Sequence, residues 1–339
     1  MRAEPSGLYV RHPLSFEHDT GGHPESPERI RAIEAALEDE AWHGLEVVEA
    51  PAATPGQLER VHLPSHVEAI RLLSARGGGM IDLDTVASAR SYEAALRAAG
   101  GAVHAVDALL GGAARFAFCG LRPPGHHAER DRAMGFCLFN NIAVGVSHAL
   151  AAHGVERAMV VDWDVHHGNG TQDIFYTSPQ VLFASIHQSP LYPGTGAPSE
   201  RGGGEGEGCT VNLPVPPGTG PDVYLSLVQN VVVPLAEAFD PRLLAISAGY
   251  DAHRDDPLAE CELDERAFGE MAASLRDLAA RLEIPVLVCL EGGYALRALA
   301  ASVSATIAAF RGATACRQAP AQLAAPYRAQ LLDRWPQLA

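Results

Sequence analysis

Five apolar runs of strand length alternate with Ala- and Leu-rich stretches of helical length, and that alternation restricts the chain to an α/β fold. The runs are Phe116–Leu121, Ala158–Trp163, Val181–Ile186, Leu243–Ala248 and Pro285–Leu290. Helices are expected over Pro27–Glu40, Ser91–Leu110, Phe139–His153, Val223–Phe239, Glu265–Leu282 and Leu296–Phe310. The first should open with Ser26 as N-cap and Pro27 in the first helical position. Strands joined through helices require right-handed crossovers, so the expected fold class is a three-layer α/β/α arrangement around a mainly parallel central sheet. The 339 residues, 47% of them hydrophobic, suffice for one large core. With no fixed-period repeat and no long linker, one domain is expected over 1–339, its core about 12–312 and a C-terminal tail about 313–339.

The residues just beyond each apolar run are polar, reactive or turn-forming. After Phe116–Leu121 comes Arg122-Pro-Pro-Gly-His126-His127, and after Ala158–Trp163 comes Asp164-Val-His166-His167-Gly-Asn169. His187-Gln188-Ser189-Pro190, Gly249-Tyr250-Asp251 and Glu291-Gly-Gly-Tyr294 succeed the other three. In a parallel α/β sheet the carboxyl ends of the strands form the ligand-binding edge. Histidines scattered through a core would not gather there.

Asp162, Asp164 and His166 alternate with Trp163 and Val165, so on extended backbone the three polar side chains share one face. Two carboxylates and an imidazole beside a buried strand are costly unless a cation neutralises them. A mixed Asp/His set without sulfur suits a catalytic zinc site that keeps one position open, and Asp251, from another strand end, is the best third ligand. A surface acidic loop is the competing reading, but Met159, Val160 and Val161 immediately before the set argue for burial.

Composition excludes several other classes. No run approaches the ~18 apolar residues of a membrane span, and Met1–Val10 lacks a signal peptide's apolar stretch, so the cytosol is the expected compartment. The six cysteines form no C-x-x-C pair and are read as reduced, neither nucleophile nor ligand. The net charge of −16, with every basic residue an arginine, argues against a nucleic-acid partner and suits a cationic substrate, although solubility alone would also account for it. The chain should have no membrane partner, and a homo-oligomer is left open.

Taken together, Val161-Asp-Trp-Asp-Val-His-His-Gly-Asn-Gly-Thr-Gln172, Arg122-Pro-Pro-Gly-His-His127, Gly135-Phe-Cys137, Ser247-Ala-Gly-Tyr-Asp-Ala-His253 and Glu291-Gly-Gly-Tyr294 resemble the zinc-dependent histone deacetylase family. His18-Asp-Thr-Gly-Gly-His-Pro-Glu-Ser-Pro-Glu-Arg29 is similar to its class II and bacterial deacetylase-like branch. The matching segments run in the family's order from about His12 to Ala300. The resemblance implies an arginase/deacetylase-like fold and a deacylase, or amidohydrolase, that cleaves an acylated amine such as acetyl-lysine. It implies one zinc ion on Asp164, His166 and Asp251. A structural potassium ion is implied on Asp162, Ser185 and Ile186 with backbone at Asp164 and His166, and a second near Phe175, Ser178 and Val181.

Amide hydrolysis also needs proton transfer near neutral pH. His126 and His127 would diverge on a regular strand, but Pro123-Pro124-Gly125 breaks it and lets both rings reach one cavity. By resemblance, His127 is general base and then acid, oriented by Asn169, while His126 pairs with Asp162. One amide and one carboxylate as partners should separate the two imidazole pKa values. The resemblance further makes Tyr294 the donor to the oxyanion, where some relatives carry histidine. It makes Phe136 and Tyr192 aromatic walls of an acyl-lysine tunnel, with core packing as the rival reading of each. Gly135 and Leu258 join that substrate-binding set, and Asp84 becomes an acidic rim residue for the substrate backbone.

Three rival functions remain. A binuclear arginase-like manganese hydrolase needs a carboxylate two positions after the ligand histidine, where this chain has Gly168. An acetylpolyamine amidohydrolase is expected to carry an acidic gatekeeper where Asp255-Asp256-Pro257 is followed by Leu258. A non-catalytic acyl-lysine binder would not need a complete set of ligand, base and tyrosine positions. Arg201-Gly-Gly-Gly-Glu-Gly-Glu-Gly208 reads as a mobile surface loop. His12, His43, His62, His66, His104, His148 and His153 have no partners at ligand spacing, and His187 is a candidate neighbour of the site.

Overall fold

The computed structural model describes residues 6–338; Met1–Pro5, half of the segment read for a signal peptide, and Ala339 lie outside the described residues. Eight strands form one all-parallel sheet. They are β1 (Ser6–Arg11), β2 (Glu46–Glu49), β5 (Ala114–Cys119), β6 (Ala158–Asp162), β7 (Val181–Gln188), β8 (Thr210–Val215), β9 (Leu243–Ala248) and β10 (Val286–Leu290), in the spatial order β2-β1-β5-β10-β9-β6-β7-β8. β3 (Gly78–Met80) and β4 (Val86–Ser88) make a separate antiparallel pair. The helices are α1 (Glu28–Asp39), α2 (Pro55–Leu58), α3 (Pro64–Ala75), α4 (Ser91–Leu110), α5 (Asn141–His153), α6 (Asn169–Phe175), α7 (Pro221–Leu227), α8 (Val233–Phe239), α9 (Glu265–Leu282), α10 (Leu296–Phe310) and α11 (Ala325–Ala329).

The period of two along each strand sorts its residues into two cores. Met159, Val161, Leu244, Ile246, Val286 and Val288 join the apolar residues of α1 and α7–α10 on one face. Ala158, Val160, Leu243, Ala245 and Leu287 join those of α3, α4 and α5 on the other. Both faces are therefore covered, and the expected three layers are present. All six cysteines are free, and five are buried. Among the described residues no helix is long and apolar enough to cross a membrane.

Two local expectations need correction and one a refinement. Ser26 does not cap α1: Pro27, already helical at φ −55°, takes that position, and Ser26 contributes only its carbonyl, which accepts from the Arg29 N–H at 3.1 Å. The helix expected over Val223–Phe239 is present, α7 and α8 being continuous through a wide π turn (Val228–Val232), where Pro234 has no N–H for the preceding turn. The glycine-rich segment after Arg201 is pinned rather than free. Arg201 pairs with Asp333 at 2.6 Å, Gly206 is buried, and the Trp335 indole donates to the Gly208 carbonyl at 3.0 Å. A Cβ on Gly206 would stand 2.7 Å from the backbone of Thr177 and Ser178, so glycine permits this close approach.

Candidate active site

The strands β5, β10, β9, β6 and β7 are contiguous at the centre of the sheet, so the polar segments at their carboxyl ends meet at one edge. Asp164, His166 and Asp251 are all buried there, and their ligand atoms lie within 4.8 Å of one another. His166 Nδ1 stands 3.1 Å from Asp164 Oδ1 and 3.2 Å from Asp251 Oδ2. Backbone N–H groups aim both carboxylates: Gly292 donates to Asp164 Oδ2 at 2.8 Å, His166 to Asp164 Oδ1 at 2.9 Å, and Val165 to Asp251 Oδ1 at 3.0 Å. Burial opposes charge on all three groups. The Asp164 and Asp251 carboxylates nonetheless push the His166 imidazole up to about 10, and His126 and His166 hold Asp164 well below the usual carboxylate range. One proton between two buried carboxylates marks a place that favours positive charge. Two oxygen donors and one imidazole nitrogen, without sulfur, fit a divalent cation of the zinc type.

Glycines make this convergence sterically feasible. A Cβ on Gly249 would collide with the Asp164 carboxylate, and one on Gly292 would collide with those of both Asp251 and Asp164.

Beside the donors, the rings of His126 and His127 lie 4.0 Å apart, centroid to centroid. His126 Nδ1 meets Asp162 Oδ2 at 3.0 Å. His127 Nδ1 meets Asn169 Oδ1 at 2.7 Å, while Asn169 Nδ2 donates to Glu129 Oε1. The amide oxygen therefore accepts, His127 carries its proton on Nδ1, and Nε2 is left as a lone pair. Burial lowers both imidazoles. His126 is nevertheless pushed up to about 10 by Asp164 and Asp162, whereas His126 and His166 hold His127 further below the ordinary value. The two imidazoles are thus shifted in opposite directions, His126 up and His127 down.

A cavity of about 220 Å³ leads to these groups and is lined by Asp84, His127, Gly135, Phe136, His166, Leu191, Tyr192, Leu258 and Tyr294. Every residue expected in the substrate set thus borders one space, and Leu191 joins it. Phe136 meets the Tyr294 ring edge-on at 5.8 Å, and Tyr192 meets His127 at 5.2 Å. Tyr192 is 37% exposed, which places it on the wall rather than in the core. Gly135 has φ +54°, and a Cβ there would lie 2.7 Å from His127 Cγ. Asp162 and Ser185 are register partners across β6 and β7, with Ile186 next along the strand. Near the suggested second potassium position, Ser178 N–H donates to the Phe175 carbonyl at 2.9 Å, shortly before β7 begins at Val181.

A model of the histone deacetylase domain matches residues 23–310. The chain belongs to the histone deacetylase family. It is 42% identical over 293 residues to the "Histone deacetylase-like amidohydrolase" of Pseudomonas aeruginosa, covering 86% of this chain and 76% of that one. To the "Probable deacetylase" of Archaeoglobus fulgidus it is 41% identical over 292 residues, 85% of this chain and 79% of the relative. A crystal structure of the HDA15 HD domain superposes with a TM-score of 0.92 at 38% identity, covering 99% of this chain and 97% of the other. By this membership the chain is a hydrolase acting on amides.

Several residues of this deacetylase-family site escaped sequence reasoning. Glu25, fully buried, accepts from both Arg122 and Arg29, and Arg29 Nε donates to the Gly293 carbonyl at 2.7 Å. Burial raises the Glu25 carboxyl, but Arg122 overrides it and holds Glu25 at about 2. Glu291 accepts from the N–H groups of Gly125 and His126 at 2.6 and 3.1 Å, which ties the histidine loop to the tyrosine loop. His167 spans Thr195 and Gln172, and Glu200 accepts from Gly196 and Ala197, so the segment carrying Leu191 and Tyr192 is held from behind. The His18–Arg29 and Glu291–Tyr294 motifs were the available signals for the first two.

His148 and His153 do have a common partner, contrary to the sequence reading. Both Nε2 atoms reach Asp107 Oδ1, at 2.8 and 2.7 Å. Arg60 donates to His148 Nδ1 at 2.9 Å, so His148 keeps its proton on Nε2, facing the aspartate. That nitrogen has no lone pair for a metal, and the cluster is a hydrogen-bonded brace between α4 and α5. His187 lies beside the site, bonded to Ser185 Oγ at 2.9 Å.

Proposed function

We propose that this deacetylase-family chain, read as one deacetylase domain, is a zinc-dependent deacylase that hydrolyses acetyl-lysine or a similar N-acyl amine. The observation that carries the reading is the meeting of Asp164, His166 and Asp251 below a neutral His127 and beside Tyr294, at the end of an aromatic-lined cavity. Bound by the three donors, a zinc ion would supply the Lewis acidity that polarises the acyl carbonyl and eases deprotonation of water.

The rest of the chemistry belongs to the chain's own side chains. Asn169 fixes the proton on Nδ1 of His127, so Nε2 accepts the proton of the attacking water and returns it to the departing amine. His126, charged beside Asp162, stabilises negative charge growing in the cavity. The Tyr294 hydroxyl donates to the developing oxyanion. Phe136, Tyr192, Gly135 and Leu258 grip the methylene chain, and Asp84 at the mouth takes N–H groups of the substrate. Asp162, Ser185 and Ile186, with backbone at Asp164 and His166, would hold a structural potassium ion that neutralises charge beside the metal site.

Gly168 supports one catalytic metal rather than two, since any side chain there would run into the Asp162 carboxylate and the His126 ring. Leu258 on the cavity wall disfavours a polyamine's second ammonium, although the −16 net charge favours cations in general. Turnover of an acetyl-lysine peptide should exceed that of N8-acetylspermidine, and a strong preference for the polyamine overturns the substrate choice. Tyr294→Phe is expected to lower kcat by about 10²–10³-fold. An unaffected rate would remove Tyr294 from the mechanism.

A further inference from the structure

We propose that Asp256 is a positioning residue that holds Tyr294 over the metal site and Leu258 on the tunnel wall. The inference rests on the reading of Tyr294 as oxyanion donor. Asp256 is 7% exposed. Its Oδ2 accepts from the Tyr294 N–H at 2.7 Å and the Ala295 N–H at 3.4 Å, and its Oδ1 accepts from the Leu258 N–H at 3.0 Å. Among the described residues it has no arginine or histidine within ion-pair distance. A buried carboxylate whose partners are backbone N–H groups of two functional segments is expensive to keep, which points away from simple packing.

Residues 291–293 are held by Asp164, Arg29 and the histidine loop, but the Tyr294 and Ala295 N–H groups have Asp256 as their partner. Gly292-Gly293 precedes Tyr294, with φ +116° at Gly293, and Ala295 at the N-cap of α10 has no side chain able to cap. Asp256, from another loop, accepts instead from the Tyr294 and Ala295 N–H groups, which immediately precede α10. Arg29 anchors the opposite side through the Gly293 carbonyl. One carboxylate therefore sets the positions of the oxyanion donor and of a specificity residue together. Asparagine at 256 keeps the shape but turns an NH₂ toward one of the two N–H sets.

A double-mutant cycle on the zinc-loaded protein tests this, using kcat and KM for an acetyl-lysine peptide. Melting temperature and metal content serve as folding controls, and hydrogen exchange is followed over residues 291–297. Asp256→Asn should lower kcat by about tenfold and speed exchange in that segment. Placed on Tyr294→Phe, it should cost no further kcat, because the group it positions is already gone. Losses that multiply in the double variant, or unchanged exchange over 291–297, overturn the proposal. Wild-type kcat in Tyr294→Phe would instead overturn the reading of the tyrosine, and exchange then decides Asp256 alone. Asp256→Ser repeats the comparison if the asparagine variant fails to fold.

Discussion

His126 and His127 show how neighbouring residues of one type acquire opposite roles from the atoms behind them. A carboxylate stands behind the first and an amide behind the second. Asn169→Asp would replace that amide by an anion and raise the His127 pKa. Because the base must be neutral, the acidic limb of the kcat/KM profile is expected to move up by roughly one pH unit, read from steady-state kinetics. Gly292 is equally constrained. In Gly292→Ala the new methyl would press on Asp164 and Asp251, both already held by other N–H groups. Metal affinity should fall about 10–100-fold, measured by competition with a chromogenic chelator. The clustering of Asp164 and His166 was legible because alternate residues of a strand share a face, and that of Asp251 because it ends a neighbouring run. Asp256 and the Asp107 cluster were not. Their bonds join segments far apart in sequence and leave no local spacing to read.

At the scale of elements, the five central strands were legible because burial on both faces demands uninterrupted apolar residues. β2, reading Glu-Val-Val-Glu, and β8, which contains Pro214, lie at the sheet's edges where that demand lapses, and neither run announces itself. The helix expectations held to within a turn or so, and the one over Val223–Phe239 widens into a π turn just before Pro234, where the backbone lost a donor. The segment from His18 to Arg29 had a family likeness but no assigned task. Its task is to insert Glu25 between Arg122 and Arg29 and so bind the loops after β5 and β10 to each other. A carboxyl held near 2 in the fold and near 4.5 in the unfolded chain contributes stability that is complete above the latter value. That contribution, about 3 kcal/mol, drains away as pH falls through the interval. Glu25→Gln should therefore be less stable than the parent by about 3 kcal/mol at pH 7, with the gap narrowing toward pH 3 in urea titrations.

For the molecule as a whole, the C-terminal segment is part of the packed body. Leu331, Trp335 and Leu338 are buried in the same core as α8, and the Tyr327 hydroxyl donates to the Pro214 carbonyl at 3.1 Å. Metal should couple to the entire fold in the same way. Zinc at 100 times its Kd is expected to stabilise metal-free protein by about 2.7 kcal/mol, seen as a higher Tm in calorimetry. The rise should vanish in Asp251→Ala. The order of the strands adds a temporal consequence. β10, the last strand in the chain, lies between β5 and β9, so until its final threading the middle of the sheet is open and Gly292 is not there to steady Asp164. A nascent chain released before residue 290 would carry all three donors and still lack the Gly292 N–H that aims one of them.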